Sequence, residues 1–198
     1  MSTSGTPTPV KTIAVIGAGT MGSGIALTAA QAGIAAIQID SNPAQLEKAK
    51  AYHAKTVARA VEKGKMQQAD ADAALKRICY VGSMAEAKAA DWAVEAATEN
   101  VEVKKRIFKE MQATFPAHAV LATNTSSISI TDLASAVGAD AHRVIGMHFF
   151  NPVPVMALVE VIKGLATSDA TTQATIDLSI AMGKTPVPAN DQIGRAHV

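Results

Sequence analysis

The sequence predicts an α/β fold in which helices cover both faces of one doubly wound, mostly parallel sheet. Short β-branched runs alternate along the chain with long amphipathic segments, which is the pattern of βαβ units around a parallel sheet. A hydrophobic content of 48% in 198 residues is ample for the core of one medium-sized domain. A glycine-rich loop between the first strand and the first helix is the third observation that favours this class.

The first third of the chain is predicted to form a βαβ unit followed by a long helical excursion after the second strand. The predicted elements of the unit are a strand at 11–17, a helix at 20–33 and a strand at 34–40. A long helix is predicted from Pro43 to about Lys63, because Asn42 can cap it and proline suits its first turn. A further helix over 66–78 completes the excursion.

The remainder of the chain repeats the alternation of strands and helices. Its predicted elements are strands at 91–97, 119–125, 143–150, 156–164 and 184–189, with helices at 102–115 and 170–183. Cys79 lies in the apolar run "RICYV" and is predicted to be a buried strand thiol, and Trp92 is predicted to lie in the core. A single cysteine excludes a disulfide or a cysteine metal cluster within the chain.

Charge and hydropathy exclude several classes of function. The formal net charge is +1 without a long basic or acidic block, so nothing favours binding to nucleic acid or to a membrane surface. The apolar runs are far shorter than the roughly 20 residues of a membrane span. Residues 1–10 are polar and proline-rich and lack the pattern of a secretory signal, so we expect a disordered leader and a cytoplasmic protein. No metal site is predicted, and four histidines without a partnering pattern receive no function: His53, His118, His142 and His197.

The loop "GAGTMG" has the spacing of a dinucleotide-binding loop and lies between a predicted strand and a predicted helix. Gly17 permits the tight turn, Gly19 lets the backbone approach a pyrophosphate, and Gly22 lets helix and strand pack closely. The helix N-terminus then presents free N–H groups and a partial positive charge to the phosphates. Met21 lies in the same loop and is assigned with the glycines to the cofactor site.

Asp40 ends the second predicted strand, 18 residues after Gly22, where a carboxylate can bind the adenosine ribose hydroxyls. A carboxylate there repels a 2′-phosphate and no arginine follows it, so NAD is favoured over NADP. The context of strand, loop, helix, strand and acid predicts the Rossmann-type version of the doubly wound fold. A structural glycine-rich turn beside a surface aspartate is the alternative.

Three further segments, read together with the glycine loop, resemble the 3-hydroxyacyl-CoA dehydrogenase family, and bacterial 3-hydroxybutyryl-CoA dehydrogenases in particular. They are "EAATENVEVKKRIFKEM", "TNTSSISI" and "HFFNPVPVMALVEVI". The resemblance extends from about Lys11 to Asp191, so residues 11–191 are expected to be an NAD-binding domain. It implies NAD-dependent oxidation of a 3-hydroxyacyl-CoA to the 3-ketoacyl-CoA, or the reverse reaction.

The same resemblance assigns roles at the reacting end of the substrate. His148 matches the catalytic base of the family, and Glu160 matches the acid that orients it. Ser126 matches a residue near the substrate hydroxyl and the nicotinamide, and Asn151 matches a residue that places the reacting end. Two alternatives stay open: His148 as a satisfied core histidine, and Ser126 with Ser127 as a helix cap.

The resemblance also assigns contacts away from the reacting end. Glu99 and Lys104 match contacts on the cofactor side, although an exposed acid at a helix start and a solvated lysine are the alternatives. Thr56 and Lys63, on the long helix, fall where the family contacts CoA. One member of the family has a serine where this chain has Thr56.

The chemistry explains why a histidine and a glutamate suit this site. Removing a hydride from a secondary alcohol is easy only if the hydroxyl proton leaves at about the same time, so a base must lie beside the nicotinamide. Histidine has an ordinary pKa near neutrality. His148 and Glu160 are equidistant from Pro154 in the sequence, so two strands that fold back through "NPVPV" would bring the two side chains together.

The end of the chain departs from the family pattern. After "KTPVPANDQ" the family continues into a helical C-terminal domain, whereas this chain ends "QIGRAHV". We expect residues 192–198 to be a non-native tail, the translation of a sequencing adapter, and the helical domain to be absent. The full-length protein is expected to form a homodimer through that domain, and this chain alone to bind NAD with little turnover.

Two other functions remain open from the sequence. One is a β-hydroxyacid dehydrogenase acting on a free acid, and the other is a noncatalytic NAD-binding protein on the same fold. The sequence does not decide the acyl-chain length, the preferred direction, or whether the reaction serves fatty-acid β-oxidation or another pathway.

Overall fold

A computed structural model describes residues 10–191, and in it one mixed sheet forms the centre of the molecule. The strands are β1 (Thr12–Ile16), β2 (Ala35–Ile39), β3 (Ile78–Val81), β4 (Trp92–Glu95), β5 (Val120–Thr123), β6 (Val144–Phe149), β7 (Leu158–Lys163) and β8 (Thr185–Asn190). Their order across the sheet is β3-β2-β1-β4-β5-β6-β7-β8. The predicted α/β class is therefore confirmed.

Six helices and two 3₁₀ segments connect the strands within the described residues. The helices are α1 (Thr20–Gln31), α2 (Pro43–Glu62), α3 (Gln68–Lys76), α4 (Val101–Thr114), α5 (Ile130–Ala134) and α6 (Asp169–Ala181). The 3₁₀ segments are Met84–Ala87 and Ser135–Arg143. Each helix predicted from the sequence is present within a few residues of its predicted ends, whereas α5 and the 3₁₀ segments were not predicted individually.

The sheet is parallel from β3 to β6 and reverses direction once. β1 pairs in parallel with β2 on one side and with β4 on the other, so the order of the strands switches at β1. β7 runs antiparallel to β6, and β8 is parallel to β7. The sheet is thus doubly wound and mostly parallel, as predicted, with an antiparallel return at one end.

Two hydrophobic cores lie on the two faces of the sheet. The first core packs α1, α2, α3 and α6 against one face, and the second packs α4, α5 and the 3₁₀ segments against the other. Trp92 is buried in the first core, as predicted. Alternate residues of β1 face opposite sides, since Ile13 and Val15 join the first core while Ala14 and Ile16 join the second.

The helical excursion after β2 is mostly solvent-exposed. The Asn42 side chain accepts a hydrogen bond of 3.0 Å from the Ala44 amide, and Pro43 occupies the first turn, as predicted for this cap. Although α2 has 20 residues, its only buried side chains are Ala49, His53 and Val57. This long helix therefore contacts the core along a narrow stripe and leaves most of its surface available.

The prediction of a buried thiol at Cys79 was wrong. Cys79 lies in β3 but is exposed, whereas its neighbour Ile78 is buried in the first core. Successive side chains of a strand point to opposite faces. Helices α1 and α3 pack on the Ile78 side of this edge strand, so the side of Cys79 remains open.

The predicted leader at 1–10 and the predicted non-native tail at 192–198 lie outside the described residues, except for Val10. Val10 packs against the first core. None of the helices within residues 10–191 has the length and apolar character needed to cross a bilayer.

Two glycines allow close contacts of β6 and of the turn that follows it. A Cβ added to Gly24 in α1 would lie 2.7 Å from the Cβ atom of Val153, in the turn between β6 and β7. A Cβ added to Gly146 in β6 would lie 2.7 Å from the Cβ atom of Ile162 in β7. The turn that follows His148 is therefore in close contact with the helix that follows the glycine loop.

We expect Gly24→Ala to destabilise the fold, because the new methyl group would meet the buried Val153 side chain at its branch point. Such overpacking costs about 1–3 kcal/mol, of which up to about 1 kcal/mol is offset because alanine is the better helix former. Urea unfolding of this chain measures the change. Gly82→Ala is the control, since its nearest neighbour would be 4.0 Å away. Equal stability of the two variants would contradict the proposed contact.

Candidate active site

Most of the predicted site residues lie along one edge of the sheet. Gly17 follows β1, Asp40 follows β2, Glu99 follows β4 and Ser126 follows β5, while His148 lies near the end of β6. These strands are parallel, so their carboxyl ends share an edge. Ligands of open α/β sheets bind at this edge, next to the point where the strand order switches.

The glycine loop has the shape that a bound pyrophosphate requires. Gly17 has a φ of 100°, and a Cβ there would lie 2.7 Å from the Ala96 carbonyl oxygen. A Cβ on Gly22 would lie 1.9 Å from the Gly17 carbonyl oxygen, so only glycine allows this contact between loop and helix. At Gly19, by contrast, no atom outside the adjoining backbone lies within 4 Å of the Cβ position. A phosphate can approach the backbone there, at the N-terminus of α1.

Asp40 is fixed by the backbone on both sides. Its Oδ2 atom accepts a hydrogen bond of 2.9 Å from the Ala18 amide, and its Oδ1 atom accepts one of 2.9 Å from the Asn42 amide. A cavity of about 280 Å³ opens beside it, lined by residues that follow β1, β2, β3 and β4 and by α4. Carboxylate and cavity together suit the ribose and base of an adenosine. Met21, also assigned to the cofactor, is half-buried and packs against the first core.

His148 and Glu160 form a direct pair. They are opposite each other in the antiparallel register of β6 and β7, and His148 Nδ1 lies 2.9 Å from Glu160 Oε2. A carboxylate only accepts hydrogen bonds, so Nδ1 is the donor and Nε2 is the nitrogen that bears the lone pair of the neutral ring. Within residues 10–191, no group hydrogen-bonds to Nε2. The Phe150 ring lies 4.6 Å from the imidazole, centroid to centroid, and shields one face of it.

Asn124 holds the end of β6 and was missed by the sequence analysis. Its Oδ1 atom accepts a hydrogen bond of 2.9 Å from the Phe149 amide, directly after His148. The backbone N–H of Asn124 donates a hydrogen bond of 2.8 Å to the Glu95 carbonyl oxygen. Asn124 thus ties together the ends of β4, β5 and β6. It lies inside the quoted segment "TNTSSISI", but only the strand order reveals its neighbours.

Ser126 and Asn151 are exposed at the same edge. The hydroxyl group of Thr125, the residue before Ser126, donates a hydrogen bond of 2.7 Å to Glu99 Oε2, which brings Glu99 to the Ser126 loop. The alternative role of Ser126 or Ser127 as a helix cap was wrong, because Ser129 caps α5. Asn151 begins the turn between β6 and β7, three residues after His148.

A buried lysine, Lys184, hydrogen-bonds to the backbone of the turn after Asn151. The Nζ atom of Lys184 donates to the carbonyl oxygens of Val153 and Met156. Burial lowers the pKa of Lys184 below its ordinary value. The lysine therefore stabilises the turn between β6 and β7, the strands in which His148 and Glu160 lie opposite each other.

Lys104 is not the solvated lysine that the alternative interpretation described. It is 1% exposed, and its Nζ atom binds the fully buried carboxylate of Glu95, at the end of β4. Glu95 also accepts hydrogen bonds from the Thr123 hydroxyl at 2.8 Å and the Ala97 amide at 2.8 Å. The buried pair fixes the start of the loop after β4, which lies against the glycine loop. Lys104 therefore acts on the cofactor side through Glu95.

Thr56 and Lys63 lie apart from these residues, on α2. The Thr56 hydroxyl donates to the carbonyl oxygen of Tyr52, one turn earlier, at 2.8 Å, and Lys63 is exposed two turns after Thr56. Tyr52 and Lys48 line a second cavity of about 260 Å³ that reaches the glycine loop. Thr56 and Lys63 therefore continue a polar side of α2 that begins at the glycine loop.

His53, to which the sequence analysis assigned no function, makes two hydrogen bonds in the structure. It is fully buried, with Nε2 2.8 Å from the Ser23 carbonyl oxygen and Nδ1 2.7 Å from the Tyr80 hydroxyl. A carbonyl only accepts, so Nε2 donates and Nδ1 accepts from Tyr80. Burial and the nearby Glu47 raise the pKa of Tyr80 to about 12, which keeps that hydroxyl protonated. His53 thus fastens α2 and β3 to the first turns of α1.

The described part of the chain contains no group of three or more histidine, cysteine, aspartate or glutamate side chains that could hold a metal ion.

Comparison with known proteins finds relatives along nearly the whole chain. The family model described as "3-hydroxyacyl-CoA dehydrogenase, NAD binding domain" matches residues 12–192. The chain belongs to this family. A Bacillus subtilis protein named a probable 3-hydroxybutyryl-CoA dehydrogenase is 47% identical over 182 residues, which is 92% of this chain and 63% of that protein.

Two further members give the extent of the similarity. The 3-hydroxyadipyl-CoA dehydrogenase of Escherichia coli is 42% identical over 186 residues, covering 93% of this chain and 39% of that protein. The crystal structure of (S)-3-hydroxybutyryl-CoA dehydrogenase from Ralstonia eutropha matches with a TM-score of 0.90 and 44% identity, over 93% of this chain and 65% of that one. The chain therefore spans less than two thirds of the length of each of these relatives.

Family membership confirms the predicted resemblance and the choice of NAD as cofactor. The open backbone at Gly19 and the fixed carboxylate of Asp40 fit the phosphates and the adenosine ribose of that dinucleotide. The roles of the individual residues remain predictions.

We expect Lys104→Met to be strongly destabilising, because it would leave the Glu95 carboxylate buried without its cation. Breaking a buried pair from one side costs about 3–5 kcal/mol. Urea unfolding of this chain measures the effect. Lys105→Met is the matched control, since the neighbouring lysine pairs with Asp132 at the surface and its loss should change stability little. Similar losses for the two lysines would argue against the buried pair.

His53 predicts an acid-sensitive stability. Burial lowers the pKa of His53 below its ordinary value of 6.5, partly opposed by the hydrogen bond to Ser23. As pH falls, His53 is protonated in the unfolded chain before it is protonated in the folded one. The contribution of His53 to the free energy of unfolding is therefore complete above pH 6.5 and is lost as pH falls from there towards the folded pKa. The slope reaches at most about 1.4 kcal/mol per pH unit.

Urea unfolding between pH 7.5 and pH 5 tests this linkage. We expect the free energy of unfolding to fall less steeply with decreasing pH in His53→Gln than in the unmodified chain. His118→Gln, at an exposed histidine, should keep the original slope. An unchanged slope in His53→Gln would show that His53 does not carry the effect.

Proposed function

We propose that this chain is the cofactor-binding part of an NAD-dependent dehydrogenase that interconverts 3-hydroxyacyl-CoA and 3-ketoacyl-CoA. The observation that carries the proposal is the His148–Glu160 pair, at the sheet edge that also holds the glycine loop. The CoA-ester names of the relatives support the substrate class. The two 3-hydroxybutyryl-CoA dehydrogenases among them favour a short acyl chain.

In the proposed reaction, oxidation removes a hydride from the substrate carbon and a proton from its hydroxyl. Bound NAD would supply the hydride acceptor, held by the glycine loop and Asp40. His148 takes the hydroxyl proton at Nε2, the ring nitrogen whose lone pair has no described partner. In the reverse direction the same nitrogen returns the proton to the carbonyl oxygen.

Glu160 stabilises the imidazolium that forms when His148 accepts a proton. Its carboxylate already accepts the hydrogen bond from Nδ1, so no reorganisation is needed when the ring becomes charged. The hydrogen bond also fixes the tautomer with Nε2 as the base. Phe150, packed against the ring, excludes water from one side of the imidazole.

The neighbouring polar residues position the reacting groups. Ser126 and Asn151 flank the His148 edge from the loops after β5 and β6, and they are proposed to hold the reacting end of the substrate. Glu99 and Lys104 are proposed to act on the cofactor side. Lys104 is buried, so it acts by holding Glu95 and the loop after β4.

We propose that the CoA part lies along α2. Thr56 and Lys63 lie on the side of the helix that continues from the cavity next to the glycine loop. The exposed ammonium group of Lys63 suits the phosphates of CoA. This placement would leave the acyl end free to reach His148.

The part of the relatives' length that this chain does not span is proposed to complete the enzyme. We propose that full turnover needs that C-terminal part, that the complete protein is a homodimer through it, and that the chain as given binds NAD with little turnover. A cytoplasmic location remains a prediction.

An NADH-linked assay with acetoacetyl-CoA tests the function. It is run on this chain and on a version extended with the C-terminal part of a relative, and we expect activity only in the extended version. There His148→Gln should lower kcat by about 10²–10⁴-fold, the usual contribution of a general base, with an unchanged Kd for NAD. Full activity of His148→Gln would refute the assigned base.

His118→Gln is the matched control for that assay, because His118 is exposed and lies at the opposite, amino edge of the sheet beside Asp91. It should retain full activity. NAD binding without turnover in either version would favour a noncatalytic protein, and turnover of free 3-hydroxybutyrate but not its CoA ester would favour a β-hydroxyacid dehydrogenase.

A further inference from the structure

The cavity beside Asp40 has a polar feature that the proposed function does not use. Its walls are largely apolar and are formed by Ile39, Met84, Ala97 and Ile107. Such walls suit the faces of a purine ring. The inference that follows rests on the proposed binding of NAD, whose adenosine ribose is held by Asp40.

The position of the base follows from the position of the ribose. The Asp40 carboxylate is fixed by two backbone amides at the end of β2. The pyrophosphate lies towards the glycine loop, so the base leaves the ribose on the other side, into the cavity between Ile39 and Ile107. The edge of the purine then faces α4.

Glu110 lines this cavity from α4, one turn after Ile107. It is exposed, and within residues 10–191 it has no hydrogen-bond or ion-pair partner. Three other polar side chains line the cavity: Asp40 is engaged by the backbone, Ser83 is engaged with Glu86, and Ser41 carries no charge. Glu110 is thus an available anionic acceptor at the α4 side of the cavity.

We propose that Glu110 selects the purine of the dinucleotide by accepting a hydrogen bond from the 6-amino group of adenine. At position 6 of the purine, an unpaired carboxylate accepts from the amino group of adenine and repels the oxo group of hypoxanthine. At position 1 it would instead favour hypoxanthine, whose N1 carries a proton, so a preference for NAD reports contact at position 6. A glutamine in place of Glu110 could donate its amide N–H to the 6-oxo group. Glu110 is therefore a residue that determines base specificity, separate from the choice between NAD and NADP made at Asp40.

The test compares the Kd values of two dinucleotides, NAD and nicotinamide hypoxanthine dinucleotide, by titration calorimetry on this chain. The unmodified chain should prefer NAD by about fivefold, the size expected of one hydrogen bond to an exposed carboxylate. Glu110→Gln should reduce this preference to about equal affinity, because its amide can serve either base. Glu110→Ala should also lose the preference, without gaining affinity for the hypoxanthine form.

Glu102→Gln is the matched control, an exposed glutamate of the same helix that does not line the cavity, and it should keep the preference. A purely structural role of Glu110 would change both Kd values together and leave their ratio unchanged, which would overturn the inference. The inference is equally overturned if the unmodified chain binds the two dinucleotides alike. Failure of both dinucleotides to bind would instead refute the proposed cofactor site itself.

Discussion

The site depends on one constraint, the switch of strand order at β1. Because β2 and β4 lie on opposite sides of β1, the chain segments that follow these strands diverge and leave a cleft at the carboxyl edge. The glycine loop occupies the centre of that cleft, with Asp40 on one side and the loop after β4 on the other. The contact of Gly22 with the Gly17 carbonyl, which only glycine permits, keeps the N-terminus of α1 directed into the cleft.

Buried polar groups hold the loops around this cleft. Gln38 donates to the Gly17 carbonyl at 2.7 Å, His53 to the Ser23 carbonyl, and Asn124 accepts from the Phe149 amide. The Glu95–Lys104 pair does the same for the loop after β4. Each of these side chains binds backbone or a buried partner rather than a ligand. They position the binding groups in advance, which reduces the entropy lost on binding.

The antiparallel pairing of β7 with β6 brings together the two side chains of the proposed acid–base pair. A parallel neighbour of β6 would need a long crossover, whereas the turn after β6 places Glu160 directly opposite His148. Gly24 lets that turn pack closely against α1, and Lys184 binds two carbonyl oxygens within the turn. The turn that joins His148 to Glu160 therefore contacts the helix that follows the glycine loop, so the proposed acid–base pair and the glycine loop are held together by packing.

The sequence by itself determined the order of the helices and strands, the glycine loop, Asp40 and the facing of His148 and Glu160, because these follow from local periodicity, turn residues and spacing across one short turn. Only the tertiary structure decided that Cys79 is exposed, that Lys104 is buried and that His53 and Asn124 hold neighbouring backbone. Those outcomes depend on which strands become neighbours and which face a helix covers. Such contacts join residues distant in the chain, and no local pattern encodes them.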